Sequence, residues 1–322
     1  MKEFDLIQNL IAPLVRFDGA DGLTDDVSLL PRFDGAAVIT TDTLVENVHF
    51  RSADPLYSVG QKLVRVNVSD CLAKGAKPKF ALLNLTLPNS MSDQQIRDIM
   101  GGVSADLTYF EMSLIGGDTT SSPTDLVVSL TVIGECAEGA PVRRSGACVG
   151  DDIWVTGTIG DSGLGLRLPP AEVSVFPDLL QAYLVPSVPD SQIAECISLY
   201  ANSSVDVSDG LVADLTHIVE CSGVRAQISL SDIPVSDAAD RYLDRSEATL
   251  RKEDLLGFGD DYQCLFTAPQ SVRPVILSWA SENAIRLSRI GKVLEGQGVS
   301  LLGADGQPLR IVNGGWQHET NS

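Results

Sequence analysis

Apolar residues along the chain recur at two spacings, and the two alternate. AAVITTDTL (36–44) reads as a strand, and from about Pro55 to Lys74 the apolar positions take a helical period. FALLNLTL (80–87) returns to the strand pattern. SDQQIRDIMGGVSADLTYFEM (92–112) is helical again, with Ser92 as its cap and the acidic Asp93 in its first turn. LIGGD and LVVSLTVIGEC follow as strands. This rhythm predicts an α/β fold.

Near 137–152 the text changes to AEGAPVRRSGACVGDD, rich in glycine, small residues and charge, before a fresh strand, IWVTGTIG. The expected domains are therefore 1–137 and 138–322. In the second, helices are expected around Gln192–Tyr200, Asp209–Ser222 and Val272–Asn283, and strands at AQISL, YQCLFTA, LSRIGKV and VSLLG.

With 322 residues, 44% of them hydrophobic, the chain is long enough for two cores, which excludes disorder and collagen-like repeats. Forty-three acidic against 23 basic side chains give a formal net charge of −20, so nucleic acid and anionic membrane surfaces are not expected partners. The same balance suits a protein that gathers hard divalent cations through oxygen ligands. Six scattered cysteines form no C-x-x-C pair, which argues against a zinc ribbon or a disulfide framework. The opening MKEFDLIQNLIAPLVRFDG lacks the apolar core of a signal peptide, and no run of 18 apolar residues occurs; a cytoplasmic location is expected.

Acidic clusters stand at strand ends or in glycine-rich turns: Thr24-Asp25-Asp26, Thr40-Thr41-Asp42-Thr43, Asn67-Val-Ser-Asp70, Gly116-Gly117-Asp118-Thr119, Asp206-Val-Ser-Asp209 and Gly257-Phe-Gly-Asp260-Asp261. The stretch from Asn67 echoes the one from Asp206, each leading into a helix-like segment. A Ser-Asp pair is common at a helix start, where its oxygens accept backbone N–H bonds. Solvated loops also use Asp and Gly, but that gives no reason for apolar strands to end repeatedly in Asp, where ligands of α/β sheets gather. Converging carboxylates must bind a cation, share protons, or carry a large repulsion. Mg²⁺ fits, because it takes oxygen ligands and is shared with substrate phosphates. With three histidines and no H-x-x-x-H, catalytic zinc is not expected.

A nucleoside triphosphate is the natural partner of such metals, yet no G-x-x-x-x-G-K-[ST], H-R-D or D-F-G set is present. The spacing thus points to a nucleotide site led by metal. Arg143-Arg144 reads either as a cationic fork for phosphate or as ordinary surface charge.

At these residues the sequence resembles the thiamine-monophosphate kinases, of the superfamily that includes aminoimidazole ribonucleotide synthetase, selenophosphate synthetase and the hydrogenase-maturation protein HypE. The matching pieces are TDDVSLL (24–30), TTDTLVENVHF (40–50), VNVSDCLAKGAKP (66–78), LIGGDTT (114–120), RSGACVGDDIWVTGTIGDSGLG (144–165), DVSDGLVADL (206–215) and GFGDDYQCLFT (257–267), in order over nearly the whole chain. The resemblance implies a two-domain α/β fold like that of PurM, the aminoimidazole ribonucleotide synthetase. Its N-terminal sheet would form a barrel-like core across a homodimer. It implies in-line transfer of a phosphoryl group from ATP to thiamine monophosphate, giving thiamine diphosphate and ADP, with several Mg²⁺ ions. Carried over by position, Asp26, Thr40, Thr41, Asp42, Asp70, Asp118, Asp206 and Asp209 correspond to metal ligands. Gly117, Arg144 and Ser208 correspond to ATP contacts, and His49, Asp260 and Trp316 to contacts with thiamine phosphate. Read without the resemblance, His49 is also a hydrogen-bonded strand-edge histidine, and Trp316 a terminal anchor.

Three places depart from the family pattern: Thr24 stands for glycine, Asp260 for glutamate, and the tail reads GWQHE. The rival readings are another ATP-using enzyme of the superfamily and a non-catalytic paralogue that binds metal and nucleotide. Selenophosphate synthetase would require a reactive Cys and Lys near the N-terminus, where the first Cys here is Cys71, and HypE a functional C-terminal Cys, which HETNS lacks.

Overall fold

The computed structural model describes residues 6–245, 250–310 and 315. It divides into two compact units, Met1–Cys71 with Ala76–Gly139 and Leu72–Gly75 with Ala140–Ser322.

The first unit is built on four strands, β1 (Ala37–Val45), β2 (Ala76–Pro88), β3 (Ser113–Ser122) and β4 (Val127–Cys136), in the order β1-β4-β2-β3. The β2–β3 pair is parallel and the other two are antiparallel. Alternation puts Leu83, Leu85, Val128, Leu130 and Val132 on a buried face. Helices α1 (Leu56–Ala73) and α2 (Asp93–Tyr109) add Leu63, Val64, Val68, Ile99 and Val103 to the core. Ser92 caps α2 as its sequence suggests: its hydroxyl oxygen accepts the Gln95 N–H, and the Gln95 side chain accepts the Ser92 N–H.

The two helices meet where side chains are missing. A Cβ on Gly60 would lie 2.2 Å from the Ile99 carbonyl oxygen, and one on Gly102 would lie 1.9 Å from that of Tyr57. Asp106, 2% exposed, fastens the same crossing by accepting bonds from Gln61 (3.0 Å) and Arg65 Nε (2.6 Å).

The other sheet face is only partly covered. Phe80, Ile115 and Ile133 lie under Val15, Phe17, Leu23 and Phe33. Beyond them Ile39 is 71% exposed, beside the paired hydroxyls Thr41–Thr131 (3.0 Å) and Thr43–Ser129 (2.7 Å). The sheet is open, with β1 and β3 at its edges, so the described residues of one chain form no closed barrel.

The second unit carries β5 (Asp152–Thr156), β6 (Ser203–Asp206), β7 (Arg225–Ser229), β8 (Cys264–Ala268), β9 (Leu287–Leu294), β10 (Gly298–Leu302) and β11 (Pro308–Leu309), in the order β11-β10-β7-β9-β5-β8-β6. Among the described residues of this sheet only β7–β10 is parallel. Its helices are α3 (Asp161–Arg167), α4 (Pro177–Leu184), α5 (Ile193–Tyr200), α6 (Leu211–Ser222), α7 (Asp237–Leu243), α8 (Lys252–Leu255) and α9 (Arg273–Glu282). Leu211, Leu215 and Ile218 of α6 pack with Ile153, Val155 and Leu265 of the sheet, while Leu164, Phe176, Leu179 and Phe258 form a separate cluster. Arg273 grips buried Asp152 with two bonds of 2.7 Å. Among the described residues no helix is long and apolar enough to cross a membrane.

Two sequence expectations change here. The echo between the stretches from Asn67 and from Asp206 is not a structural repeat: Asn67–Asp70 lies in the closing turns of α1, whereas Asp206–Asp209 leads from the end of β6 towards α6. Four-residue similarity leaves the surrounding periodicity to decide, and around Asn67 it is helical on both sides. The strand expected at IWVTGTIG stops at Thr156, because Gly157 turns the backbone to φ 58°.

The helix crossing yields a stability prediction. Gly102→Ala forces a methyl into backbone and should destabilise the protein by about 1–3 kcal/mol, as overpacking generally does. Urea unfolding of the variant beside the native protein measures it.

Candidate functional site

In the first unit the sheet and α1 bring three of the anticipated ligands together. Thr40 and Asp42 leave β1 on its buried side, as their pairing with Val132 and Leu130 requires. The Thr40 hydroxyl donates to Asp70 Oδ2 at 2.5 Å, and the Asn67 side-chain oxygen accepts the Asp42 N–H at 2.9 Å. Asp70 sits in the last turn of α1, where the helix carbonyls already concentrate partial negative charge. Burial, and then the charge of Asp70, push the Asp42 carboxyl from 3.8 up to about 7. The cluster has oxygen donors and too much negative charge, a donor set suited to a hard divalent cation.

Thr41 and Asp118 lie elsewhere. Asp118 pairs with Asn84, Asn84 with Ser129, and Ser129 with Thr43, so Asp118 belongs to the open-face rows with Thr41. Gly117 before it presses on β2, where a Cβ would come 1.8 Å from the Leu83 carbonyl oxygen. Asp26 is exposed in a loop, its N–H bonded to Asp25 Oδ1 at 2.7 Å; two residues on, the Ser28 hydroxyl donates to the Ile115 carbonyl of β3. His49 accepts the Val45 N–H on Nδ1 at 3.1 Å, which assigns the proton of the neutral ring to Nε2.

In the second unit two loops are laced together. Asp260 N–H donates to the Ser208 carbonyl (2.9 Å) and Tyr262 N–H to that of Val207 (2.7 Å). A Cβ on Gly259 would stand 2.4 Å from the Ser208 carbonyl oxygen. Ser208, Asp209 and Asp260 are thereby neighbours. Asp206, 5% exposed, closes β6 opposite Cys264. Arg144 is exposed, with its carbonyl near the Ser222 hydroxyl (3.5 Å). Trp316 lies outside the described residues; Gly315 packs so that a Cβ would meet Ala213 at 2.4 Å and the Asp209 carbonyl oxygen at 3.0 Å.

Asp214, which the sequence reading did not single out, organises this loop. Its Oδ2 accepts the N–H groups of Ser208 (3.0 Å), Asp209 (3.0 Å) and Gly210 (3.2 Å). Those N–H groups are therefore engaged by Asp214 and are not open to an anion. The capping oxygen comes from inside α6 and not from the Ser-Asp pair, because the helix begins one residue after Gly210. Burial and the neighbouring Asp209 charge raise the Asp214 carboxyl to about 7, against the pull of the three N–H bonds. Oxygen atoms of Asp209 and Asp214 and a ring nitrogen of His217 lie within 4.8 Å of one another, a group able to hold a cation. The one sequence signal for Asp214 was its place in DVSDGLVADL. Asp261 acts in the same way. Both its oxygens accept the Gly160 N–H at 2.9 Å, at the start of α3, and burial raises its carboxyl well above the usual range.

The AIR synthase related protein family matches in two parts, its N-terminal domain over residues 24–136 and its C-terminal domain over 149–303. Thiamine-monophosphate kinase of Caulobacter vibrioides is 36% identical over 322 residues, covering 98% of this chain and 90% of the relative. The crystal structure of thiamine-monophosphate kinase from Stenotrophomonas maltophilia K279a superposes with a TM-score of 0.83 at 36% identity, covering 96% and 98% of the two chains. AaThiL complexed with AMPPCP and TMP gives a TM-score of 0.76 at 31% identity and covers 99% of both.

The raised carboxyls of Asp42 and Asp214 fix a pH dependence. An acid whose pKa is higher folded than unfolded adds stability below the unfolded value, near 4, and loses it as pH climbs through about 7. In chelator, stability to urea should accordingly fall between pH 5 and pH 8, and Asp42→Asn should flatten that fall. Mg²⁺ should raise the melting temperature more at pH 8 than at pH 5.5, since ligands must be deprotonated; at a hundred times its Kd a bound ion adds about 2.7 kcal/mol. Scanning calorimetry at the two pH values reads the difference.

Proposed function

The chain belongs to the AIR synthase related family and, within it, to the thiamine-monophosphate kinases, with their mixed α/β two-domain PurM-like fold. From that premise we propose that it transfers the terminal phosphoryl group of ATP to thiamine monophosphate, yielding thiamine diphosphate and ADP. The observation that carries this reading is the 36% identity sustained over 98% of the chain. The geometry agrees with it, since Thr40, Asp42 and Asp70 gather as an oxygen-rich, over-negative cluster.

The acceptor is itself a phosphate monoester, largely dianionic at neutral pH, so its oxygen needs no general base. What remains for the protein is to hold two mutually repelling anions in line. Thr40, Asp42 and Asp70 in the first unit and Asp209 in the second fit Mg²⁺ by donor type, and Asp26, Thr41, Asp118 and Asp206 are proposed as further ligands. When bound, Mg²⁺ neutralises phosphate charge that these residues alone would repel. Arg144, Gly117 and Ser208 are assigned to ATP: the guanidinium pairs with phosphate, and Gly117 offers it backbone alone. On the acceptor side, the Nε2–H of His49 is a donor suited to phosphate, Asp260 complements a cationic ring, and Trp316 offers an aromatic face to the same ring.

The open face of the first sheet supports a homodimer. Ile39, Thr43 and Ser129 stand on a surface on which the same sheet of a second copy completes a barrel-like core, and the family resemblance favours that arrangement. A cytoplasmic location agrees with the lack of a membrane-crossing helix among the described residues.

Release of ADP from ATP, thiamine monophosphate and Mg²⁺, followed by a coupled assay, tests the proposal. Turnover is expected with the phosphate ester and not with thiamine, and Asp70→Asn should lower kcat by about 100-fold or more. Nucleotide and metal binding without turnover would overturn the kinase reading in favour of a non-catalytic paralogue.

A further inference from the structure

Residues 260–262 hold two backbone conformations that side chains rarely adopt: Asp260 has φ 68° and Tyr262 φ 49°. Such strain persists only where the surroundings over-determine it, and here they do. The Asp260 and Tyr262 N–H groups are bonded to the Ser208 and Val207 carbonyls, and the carboxylate of Asp261 between them, 6% exposed, is turned inward onto the Gly160 N–H. The sequence pattern places Tyr262 in a strand, but β8 begins only at Cys264, so the ring is outside the sheet. Instead its hydroxyl donates to Asp260 Oδ1 at 3.0 Å.

We propose that Tyr262 is a positioning residue for the acceptor subsite, its phenol holding one oxygen of Asp260 so that the carboxylate presents the other to the cationic heterocycle of the acceptor. This rests on the reading in which Asp260 contacts thiamine phosphate. A phenol bonded to one oxygen narrows the orientations open to the carboxylate before the ligand arrives. The two left-handed residues serve this purpose: with Asp261 directed inward, they bring the side chains on either side of it together. Because the loop is bonded to Val207 and Ser208, the same pinning ties the orientation of Asp260 to the segment that carries Asp209.

Steady-state kinetics of Tyr262→Phe, Asp260→Asn and the double variant, each with its melting temperature, provide the test. Loss of the phenol should raise KM for thiamine monophosphate by about 3–10-fold and leave KM for ATP within about 2-fold. In the Asp260→Asn background the same loss should add less than about 2-fold, because a residue acting through Asp260 has nothing left to act on. An unchanged KM, an equal effect in both backgrounds, an equal rise in KM for ATP, or a large drop in melting temperature would each overturn the proposal, the last by making the hydroxyl structural. Turnover by the native enzyme is read first. If it is absent the kinase reading fails by itself, and calorimetric binding of thiamine monophosphate to native protein and Tyr262→Phe then decides the subsite, with equal or absent binding counting against it.

Discussion

Carboxylates placed within reach of one another must share a proton or face a cation, and both units are arranged around such pairs. In the first, Asp42 and Asp70 come from different elements, a strand and the closing turn of a helix. The hydroxyl of Thr40 relieves Asp70, and the side chain of Asn67 engages the Asp42 backbone and leaves its carboxylate alone. Helix direction makes matters worse for Asp70, whose charge adds to that of the helix C-terminus. A fold seeking stability alone would have no use for this combination. It is a donor set suited to a hard divalent cation.

The second unit solves a different problem, that of holding loops still. Asp214 and Asp261 spend their oxygens on backbone N–H groups at helix starts, and the loop at 257–262 is bonded to the loop at 207–209 through main-chain atoms. Main-chain bonds fix position whatever the side chains, so the half-buried Ser208, Asp209 and Asp260 stand on a rigid support. The buried carboxylates of Asp214 and Asp261 thus position backbone.

The substitution of Asp260 for the glutamate of the family pattern gains meaning in this setting. A shorter carboxylate needs its direction set from outside, and Tyr262, two residues on, is bonded to it. The departure in the chain is thus accompanied by a local contact that a longer side chain would alter.

The alternation of strand and helix periods, the Ser92 cap and the acidic clusters were legible in the residues, because each is a local pattern that the backbone obeys directly. The short elements α3, α4, α7 and β6 were not, since a stretch of four to eight residues leaves too few periods to distinguish. Motifs and resemblance assigned Asp42 and Asp70 to one metal cluster but not the Thr40–Asp70 bond within it, which depends on which way a strand's alternation turns each side chain. Register alone placed Asp118 on the opposite face from Asp42. Asp214 and Tyr262 escaped notice for a related reason: one resembles any helix acid and the other any strand aromatic until the chain folds and shows what their oxygens touch. Composition and order therefore determined the kind of chemistry, while the tertiary structure decided which oxygens face one another, because distance between residues remote in sequence is set only by packing.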